Sequence, residues 1–381
     1  MTAPDVVVTG IGLTSALGLD AAGNWSRLLL GETAIALRQP FAELPVMPLA
    51  LIGKYPARLQ DLLDLAVEEA LQDSQISLPQ PDCGVVIGSS RSHQATWEKL
   101  AAELRHRQLP AAAEWLASLP HMAATNTAHR LGSLGPVQAP MAACATGLWA
   151  IFQGWELIRR GMCDRVLVGA VEAPITPLGL AGFERMGALA QQGCYPFDRR
   201  REGLVLGEGA AVLMLESAAV AQARGARSYG KILGMGLTAD GHHLSAPDPQ
   251  RQSSEAALRS CLRQADLLPS EVGYLHAHGT STRLNDSHEA ALIQQVFTAD
   301  VAVSSTKGAT GHTLGASGAI GAVFCLLALH NQVLPPCVGL AEPAFPLNFV
   351  RQARPQATQV ALCLSFGFGG QNAVLALGHS R

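Results

Sequence analysis

The sequence has little charge. Only 15% of its 381 residues are Asp, Glu, Lys or Arg, and 48% are hydrophobic. Disordered chains show the opposite balance, so the composition excludes disorder as the state of the whole chain. A chain this poor in charge buries much surface, including surface buried against another subunit. Its length suits two domains or one large fused unit.

A long basic run is absent, and the formal net charge is −3. Proteins that bind nucleic acid carry basic patches that neutralise phosphates, so we expect no nucleic-acid partner. The first residues, MTAPDVVVTG, lack the basic region and apolar core that mark a signal peptide. We therefore expect a cytoplasmic location.

Paired cysteine motifs are also missing. The eight cysteines are scattered, with none in a C-x-x-C pair and none near a histidine at zinc-finger spacing. In a chain of this length they indicate reduced core thiols of an intracellular protein, and we expect no metal site.

Charge is missing altogether from one stretch, GHTLGASGAIGAVFCLLALH, between His312 and His330. Its length is marginal for a membrane span. Because the stretch is rich in glycine and alanine and is unique in the chain, we expect a helix buried inside a globular protein and no membrane insertion.

Strand-like and helix-like segments alternate along the chain. The runs VVVTGIG and CGVVIGSS, closed by small residues, predict buried strands. LQDLLDLAVEEALQDS, from Leu59, has leucine and alanine at helical spacing and predicts a helix. This alternation predicts an α/β fold with parallel or mixed sheets.

The second part of the chain repeats the plan of the first. KILGMGL, from Lys231, echoes the first strand, and KGATGH precedes the apolar stretch as AACATG precedes GLWAIFQGWELIRR. We therefore expect an internal duplication, with halves at residues 1–228 and 229–381 joined near Ser228.

Cys144 stands alone in the apolar segment APMAACATGLWA. It precedes a predicted helix by a few residues, where free backbone N–H groups and the helix dipole stabilise a thiolate. From this segment alone an inert thiol is favoured, because free cysteine is among the most buried residue types.

Two further segments carry polar residues where a strand ends or the apolar helix begins, which is where open α/β sheets bind ligands. His278 ends the strand EVGYLHAHGT and suits a hydrogen-bond donor or a base, with a capped structural histidine as the alternative. His276 alternates with it and would face the other side. Lys307 and His312 lie in the glycine-rich turn before the apolar stretch. A lone lysine there is more often a surface charge, but an unpaired charge entering an uncharged helix is costly.

Six segments combine into one pattern: VVVTGIGLTSALG, ACATG, YPFDRRREGLVLGEGAAVLMLE, HGTSTRLND, KGATGHTLGASGA and SFGFGGQNAVLAL. In this order they resemble the β-ketoacyl-acyl-carrier-protein synthases of the elongating Cys-His-His type, in the thiolase superfamily. The resemblance covers nearly the whole chain, and six motifs in family order make chance a negligible explanation. It implies a thiolase-like fold of two similar halves in a five-layered αβαβα arrangement.

The resemblance implies a decarboxylative condensation. Cys144 would accept an acyl group from a thioester. His278 and His312 would hydrogen-bond the carbonyl oxygen of a malonyl thioester as it loses carbon dioxide, and the backbone N–H groups of Cys144 and Phe366 would form an oxyanion hole. The implied partner is acyl carrier protein, whose phosphopantetheine arm carries both substrates, so no separate cofactor is expected. Family members are homodimers.

The resemblance also implies supporting roles. Lys307 would keep the histidine turn in place and would itself be held by Glu289. The other implied residues contact substrate. Thr280 and Thr282 would bind the pantetheine arm, and Phe183 would line the acyl site. Phe366 would act as a gate, and Phe368, in the glycine loop, would also contact substrate. We expect Asp198 and Glu208 of the mid-chain motif to be structural.

One loop departs from the family pattern. After CGVVIG the chain continues SSRSHQATWEKLAAELRHRQ, so Arg91 and His93 replace small or apolar residues. The loop is either solvated without consequence or alters the acyl pocket. It is the one feature that favours a specialised polyketide, polyene or glycolipid pathway over fatty-acid elongation. A non-catalytic partner that sets chain length in a heterodimeric synthase is a further alternative, but such subunits typically lack the cysteine that this chain keeps.

Overall fold

The computed structural model describes residues 3–106 and 111–380. The strands in these ranges are β1 (Val6–Ser15), β2 (Ala36–Arg38), β3 (Met47–Leu49), β4 (Gly84–Gly88), β5 (Val137–Gln138), β6 (Arg165–Glu172), β7 (Gly209–Ser217), β8 (Gly230–Ala239), β9 (Tyr274–His276), β10 (Ala302–Ser304), β11 (Val333–Leu334), β12 (Asn348–Phe349), β13 (Arg354–Pro355), β14 (Val360–Gly367) and β15 (Gln371–Gly378).

The α-helices in the same ranges are α1 (Ala21–Leu29), α2 (Leu59–Ser74), α3 (Gln94–Arg105), α4 (Ala112–Ala117), α5 (Met122–Leu131), α6 (Thr146–Arg159), α7 (Pro177–Arg185), α8 (Ala218–Ala223), α9 (Gln252–Gln264), α10 (Arg283–Val296), α11 (Lys307–Thr310) and α12 (Ser317–Asn331). Short 3₁₀ turns cover Pro269–Glu271 and Leu314–Ala316.

The main sheet repeats one topology. Its strand order is β12-β10-β9-β14-β15-β8-β1-β7-β6-β4-β5. Strands β1, β4, β5, β6 and β7 belong to the first half, and β8, β9, β10, β14 and β15 to the second. When the five strands of each half are numbered 1 to 5 in chain order, both halves show the same spatial order across the sheet, 3-2-4-5-1. The two similar halves expected from the sequence are therefore confirmed. Ser228 lies between α8 and β8, and the division of the chain there stays a prediction.

The half-sheets diverge from a short junction. Strands β1 and β8 pair only over Val6–Val8 and Gly230–Ile232. Beyond this junction the sheets enclose α6 and α12, while α2 and α5 cover one outer face and α9 and α10 cover the other. This arrangement confirms the five-layered αβαβα fold.

The two central helices approach each other closely at glycines. A Cβ atom on Gly147 of α6 would lie 2.5 Å from the backbone nitrogen of Ala319, and one on Gly318 of α12 would lie 3.1 Å from that of Leu148. Because no side chain separates the backbones, the segment before α6 and the segment before α12 meet at one place. Those two segments carry Cys144 and His312.

Helix α12 is a core helix, as its composition predicted. The stretch Leu314–Asn331 is long and apolar enough to cross a membrane, but 89% of it is buried inside the fold. All eight cysteines are free and buried, as expected for reduced core thiols.

Candidate active site

Cys144, His278 and His312 converge in the interior. The Cys144 sulfur and one ring nitrogen of each histidine all lie within 4.8 Å of one another, and all three residues are buried. The two imidazole rings meet edge to face, with centroids 5.3 Å apart. The structure thus brings together residues far apart in the chain that the sequence singled out separately.

The loop before α6 holds Cys144 rigidly. Ala143 adopts a left-handed conformation, with φ of 47°, which turns the chain sharply just before the cysteine. The Thr146 hydroxyl accepts a hydrogen bond from Ala142 N at 2.8 Å and donates to Ala143 O at 2.7 Å. From the other half of the chain, Ser365 donates its hydroxyl to Cys144 O at 2.8 Å. Cys144 lies two residues before the first residue of α6.

The Cys144 thiol is protonated at neutral pH. Burial raises its pKa to about 11, although the positive charges of Lys307 and Arg91 and a hydrogen bond from the Phe368 N–H act in the opposite direction. Attack on a thioester therefore requires a nearby base to accept the thiol proton.

Both histidines are neutral, and His312, whose Nδ1 has no partner among the described residues, can serve as that base. Burial holds the pKa of His278 and of His312 well below the usual value, and the charge of Lys307 lowers both further. A neutral imidazole has one donor and one acceptor nitrogen, so each ring can take a proton or donate a hydrogen bond.

Lys307 orients the His278 ring. Its amino group donates to the His278 carbonyl and lies 3.4 Å from His278 Nδ1. When this N–H group donates to Nδ1, the proton of the neutral ring is on Nε2, which makes Nε2 a hydrogen-bond donor. Burial lowers the pKa of Lys307, and the charge of Glu289 opposes that effect.

Glu289 holds the backbone of the same turn. It accepts hydrogen bonds from His278 N at 2.6 Å and Gly279 N at 2.7 Å, and burial raises its pKa to about 7. The resemblance implied that Glu289 holds Lys307 directly. No ion pair within 4.0 Å joins them in the described part of the chain, and each binds the His278 turn instead.

Backbone hydrogen bonds to the mid-chain motif YPFDRRREGLVLGEGAAVLMLE hold His312 in place. The His312 N–H donates to Val205 O at 2.6 Å, and the Gly207 N–H donates to His312 O at 3.1 Å. His312 Nδ1 is buried with no hydrogen-bond partner among the described residues. The ring is therefore held by its backbone and by packing, and its polar atoms remain available to a ligand.

The two acidic residues of that motif bind backbone groups, as a structural role predicts. Glu208 accepts from Ile52 N and Ala57 N at 3.2 and 2.7 Å. Asp198 accepts from Ala341 N and Glu342 N, each at 2.7 Å.

A second backbone N–H is a candidate for the oxyanion hole. The Phe368 N–H acts to lower the pKa of the Cys144 thiol. Phe366 lies inside β14, where it pairs with Asn372 of β15, whereas Phe368 lies in the hairpin loop between these strands. The role implied for the Phe366 N–H stays a prediction.

The Phe366 side chain still borders the site, with its ring centroid 6.1 Å from that of His278. Phe183 packs in one apolar cluster with Cys144 and Phe368, and the two phenylalanine rings lie 6.3 Å apart. Thr280 and Thr282 share a hydrogen bond of 2.9 Å just after His278. Contact of these residues with an acyl chain or a pantetheine arm stays a prediction.

Sequence reasoning missed Glu172. This residue ends β6, is fully buried and has a pKa that burial raises to about 7. Its Oε1 accepts hydrogen bonds from the backbone N–H groups of Ser90 and Arg91, and its Oε2 has no partner among the described residues. A glutamate at the end of the apolar run VLVGAVE was the signal available in the sequence.

A cysteine and two histidines are also ligands that zinc accepts. Here the Lys307 amino group, 3.4 Å from His278 Nδ1, would place a like charge beside a bound cation. The set therefore suits a thioester better than a metal, and the absence of a metal stays a prediction.

Comparison with known families agrees with this site. Residues 56–221 match the model of the beta-ketoacyl synthase N-terminal domain, and residues 229–341 match that of the C-terminal domain. The chain belongs to the β-ketoacyl synthase family. A 3-oxoacyl-[acyl-carrier-protein] synthase 2 of Staphylococcus aureus is 34% identical, with 97% of each chain covered. As a β-ketoacyl synthase, the protein is an acyl-transferring enzyme.

Two solved structures share the thiolase-like fold. A type II PKS ketosynthase, bound to a hexaketide and in complex with its acyl-carrier protein, has a TM-score of 0.93 and 27% identity over all of both chains. The ishigamide ketosynthase/chain length factor also has a TM-score of 0.93, with 28% identity and full coverage of both chains.

Proposed function

We propose that this β-ketoacyl synthase condenses an acyl group held on Cys144 with malonyl-acyl carrier protein and releases a 3-oxoacyl-acyl carrier protein. The observation that carries the proposal is the convergence of the Cys144 sulfur with two neutral imidazoles within 4.8 Å. The product belongs to chain elongation of the fatty-acid or polyketide type.

In the acylation step, the Cys144 sulfur attacks the carbonyl carbon of an acyl thioester. A neutral histidine accepts the thiol proton, the carrier's carbon–sulfur bond breaks, and the proton passes to the departing thiolate. The backbone N–H groups of Cys144 and Phe368 hydrogen-bond the oxyanion that forms in between. The effect of the Phe368 N–H on the pKa of the Cys144 thiol supports this choice of donor.

In the condensation step, donor N–H groups of His278 and His312 stabilise the negative charge on the malonyl thioester oxygen as carbon dioxide leaves. The resulting carbanion attacks the acyl carbon on Cys144, the carbon–sulfur bond to Cys144 breaks, and the departing thiolate takes up a proton from solvent. Neutral rings suit this step because the charge develops at a buried site where a fixed N–H dipole is strongly felt.

Acyl carrier protein is the proposed macromolecular partner, since one relative is a 3-oxoacyl-[acyl-carrier-protein] synthase and one structural neighbour is bound to its acyl-carrier protein. We propose no cofactor beyond the phosphopantetheine arm of that partner, and a cytoplasmic location.

We also propose a homodimer. Strand β5 is at the end of the main sheet, and apolar residues near it are exposed: Leu134 by 87%, Val137 by 42% and Met141 by 58%. An open edge with apolar neighbours favours pairing with a second chain. A monomer by light scattering at working concentration would contradict this.

The alternative is a partner subunit that sets chain length without chemistry. The ishigamide ketosynthase, a structural neighbour, is paired in its name with a chain length factor. The complete Cys144, His278 and His312 group favours the enzyme.

The deciding experiment measures acyl transfer to Cys144 directly. We expect incubation with acyl-acyl carrier protein to add the acyl mass to the intact protein, and malonyl-acyl carrier protein then to release carbon dioxide. Cys144→Ala should abolish the adduct. Cys163→Ala removes another buried thiol, outside the site, and should retain it. No adduct from any acyl donor, with no carbon dioxide release, would exclude the proposed function. Activity only after co-purification with a second synthase-like chain would favour the alternative.

A further inference from the structure

Arg91 of the departing loop lies beside the predicted acyl site. Its guanidinium carbon is 5.5 Å from the centre of the Phe183 ring, within the range of a cation–π contact. Phe183 in turn packs with Phe368 and Cys144. Arg91 is also near enough for its positive charge to lower the pKa of the Cys144 thiol. Arg91 therefore lies next to this apolar cluster while its side chain remains exposed to solvent.

Buried contacts fix the position of Arg91. Glu172, at the end of β6, accepts a hydrogen bond from Arg91 N at 3.3 Å and another from the adjacent Ser90 N. Ser92 N donates to the Ser89 hydroxyl at 2.7 Å, which closes the turn. Because the backbone on both sides of Arg91 is anchored to buried groups, the start of its side chain is held at the rim of the apolar cluster.

Among the described residues, the Arg91 guanidinium makes no direct ion pair, although its charge acts to lower the pKa of the nearby Glu172. In residues 3–106 and 111–380 it makes no ion pair within 4.0 Å and no side-chain hydrogen bond, and the side chain is exposed to solvent. A saturated acyl chain that packs beside it displaces water from the guanidinium and offers no hydrogen bond in return, which is unfavourable. An acyl chain with an oxygen acceptor replaces the lost water, and a charged donor makes that hydrogen bond strong.

We propose that the acyl group carried on Cys144 has an acceptor oxygen beyond the thioester, as a ketone or a carboxylate, and that Arg91 hydrogen-bonds this oxygen. The inference rests on the proposed function and adds the chemical class of its acyl substrate. Arg91 is then a specificity-determining residue, and Glu172 is a positioning residue that acts through the loop backbone.

The test compares three acyl carrier protein thioesters of equal chain length: a saturated chain, the same chain with an internal ketone, and the same chain with a terminal carboxylate. The rate of adduct formation on Cys144 is measured by intact-protein mass for the wild type, Arg91→Met and Arg91→Lys. Arg259→Met is the control, because Arg259 is a half-exposed arginine on the outer helix α9.

We expect the wild type to acylate faster with at least one oxygenated chain than with the saturated one. Arg91→Met should reduce that ratio by about tenfold or more, since it removes a charge-assisted hydrogen bond. If the wild type prefers the carboxylate and Arg91→Lys keeps that preference, the contact is between a point charge and a carboxylate; if the wild type prefers the ketone and Arg91→Lys loses that preference, the contact requires the guanidinium.

Two negative results have different meanings. If no thioester acylates the wild type, the proposed function fails and this inference fails with it. If the wild type is acylated but the rate ratio is the same in Arg91→Met as in Arg259→Met, the enzyme stands and the role of Arg91 is refuted. A wild type that prefers the saturated chain refutes it equally.

Discussion

Glu289→Gln should separate the two halves of the reaction. The Glu289 carboxylate accepts from His278 N through one oxygen and from Gly279 N through the other, at 2.6 and 2.7 Å. Glutamine has one acceptor oxygen, so one N–H loses its acceptor and faces an NH₂ group instead. A buried donor left unsatisfied costs about 1–3 kcal/mol. If this cost adds to the activation free energy because His278 is misplaced in the transition state, the rate of decarboxylation falls by about 5-fold to 150-fold.

The assay measures both steps on the same variant. Carbon dioxide release from malonyl-acyl carrier protein should slow by that factor, because it depends on the His278 donor. Acylation of Cys144 should change much less, because its oxyanion donors are the backbone N–H groups of Cys144 and Phe368. Glu32→Gln, at an exposed ion pair with Arg27, is the matched control. Equal slowing of both steps in a variant that melts like the wild type would refute the assignment of Glu289 to the His278 turn.

Two further predictions concern stability. Gly147→Ala would place a Cβ 2.5 Å from Ala319 N and should lower the free energy of unfolding by about 1–3 kcal/mol through overpacking. Gly182→Ala on α7 meets open space and should raise it by a few tenths to 1 kcal/mol, and denaturant unfolding of both checks the contrast. Burial raises the pKa of Glu208 from 4.5 to about 7. Between these pH values the folded chain binds more protons than the unfolded chain, so the free energy of unfolding falls as pH rises. Glu208 contributes at most about 3 kcal/mol to that fall. Glu208→Gln should flatten that part of the pH profile, and an unchanged slope would contradict the raised pKa.

The sequence predicted the fold well because the strongest signals in it are periodic and local. Helix α2 covers the same residues as the segment LQDLLDLAVEEALQDS, and α12 falls within the uncharged run. One strand was overextended. The segment EVGYLHAHGT predicted a strand ending at His278, but β9 ends at His276. The N–H groups of His278 and Gly279 donate to the Glu289 side chain and not to a neighbouring strand. Because this acceptor lies on a later helix, the sequence around His278 carries no periodic signal of it.

The reactive residues of the site were also predictable, because their side chains carry the chemistry. The backbone groups of the site were not. Phe366 and Phe368 are the same residue type, two positions apart in SFGFGG, and the sequence does not show that the Phe368 N–H acts on the Cys144 thiol. The contact between Arg91 and the Phe183 ring was likewise not predictable, because it joins residues distant in the chain.

The hairpin of β14 and β15 also determines when the nucleophile becomes competent during synthesis. Cys144 leaves the ribosome long before Ser365 and Phe368, and 221 residues separate it from Ser365. A nascent chain that has only its first half folded holds a thiol without the second oxyanion donor and without either histidine. The core around α6 includes residues of α12 and β15, so the first half alone cannot complete it. The last strands to be made therefore complete both this core and the surroundings of Cys144.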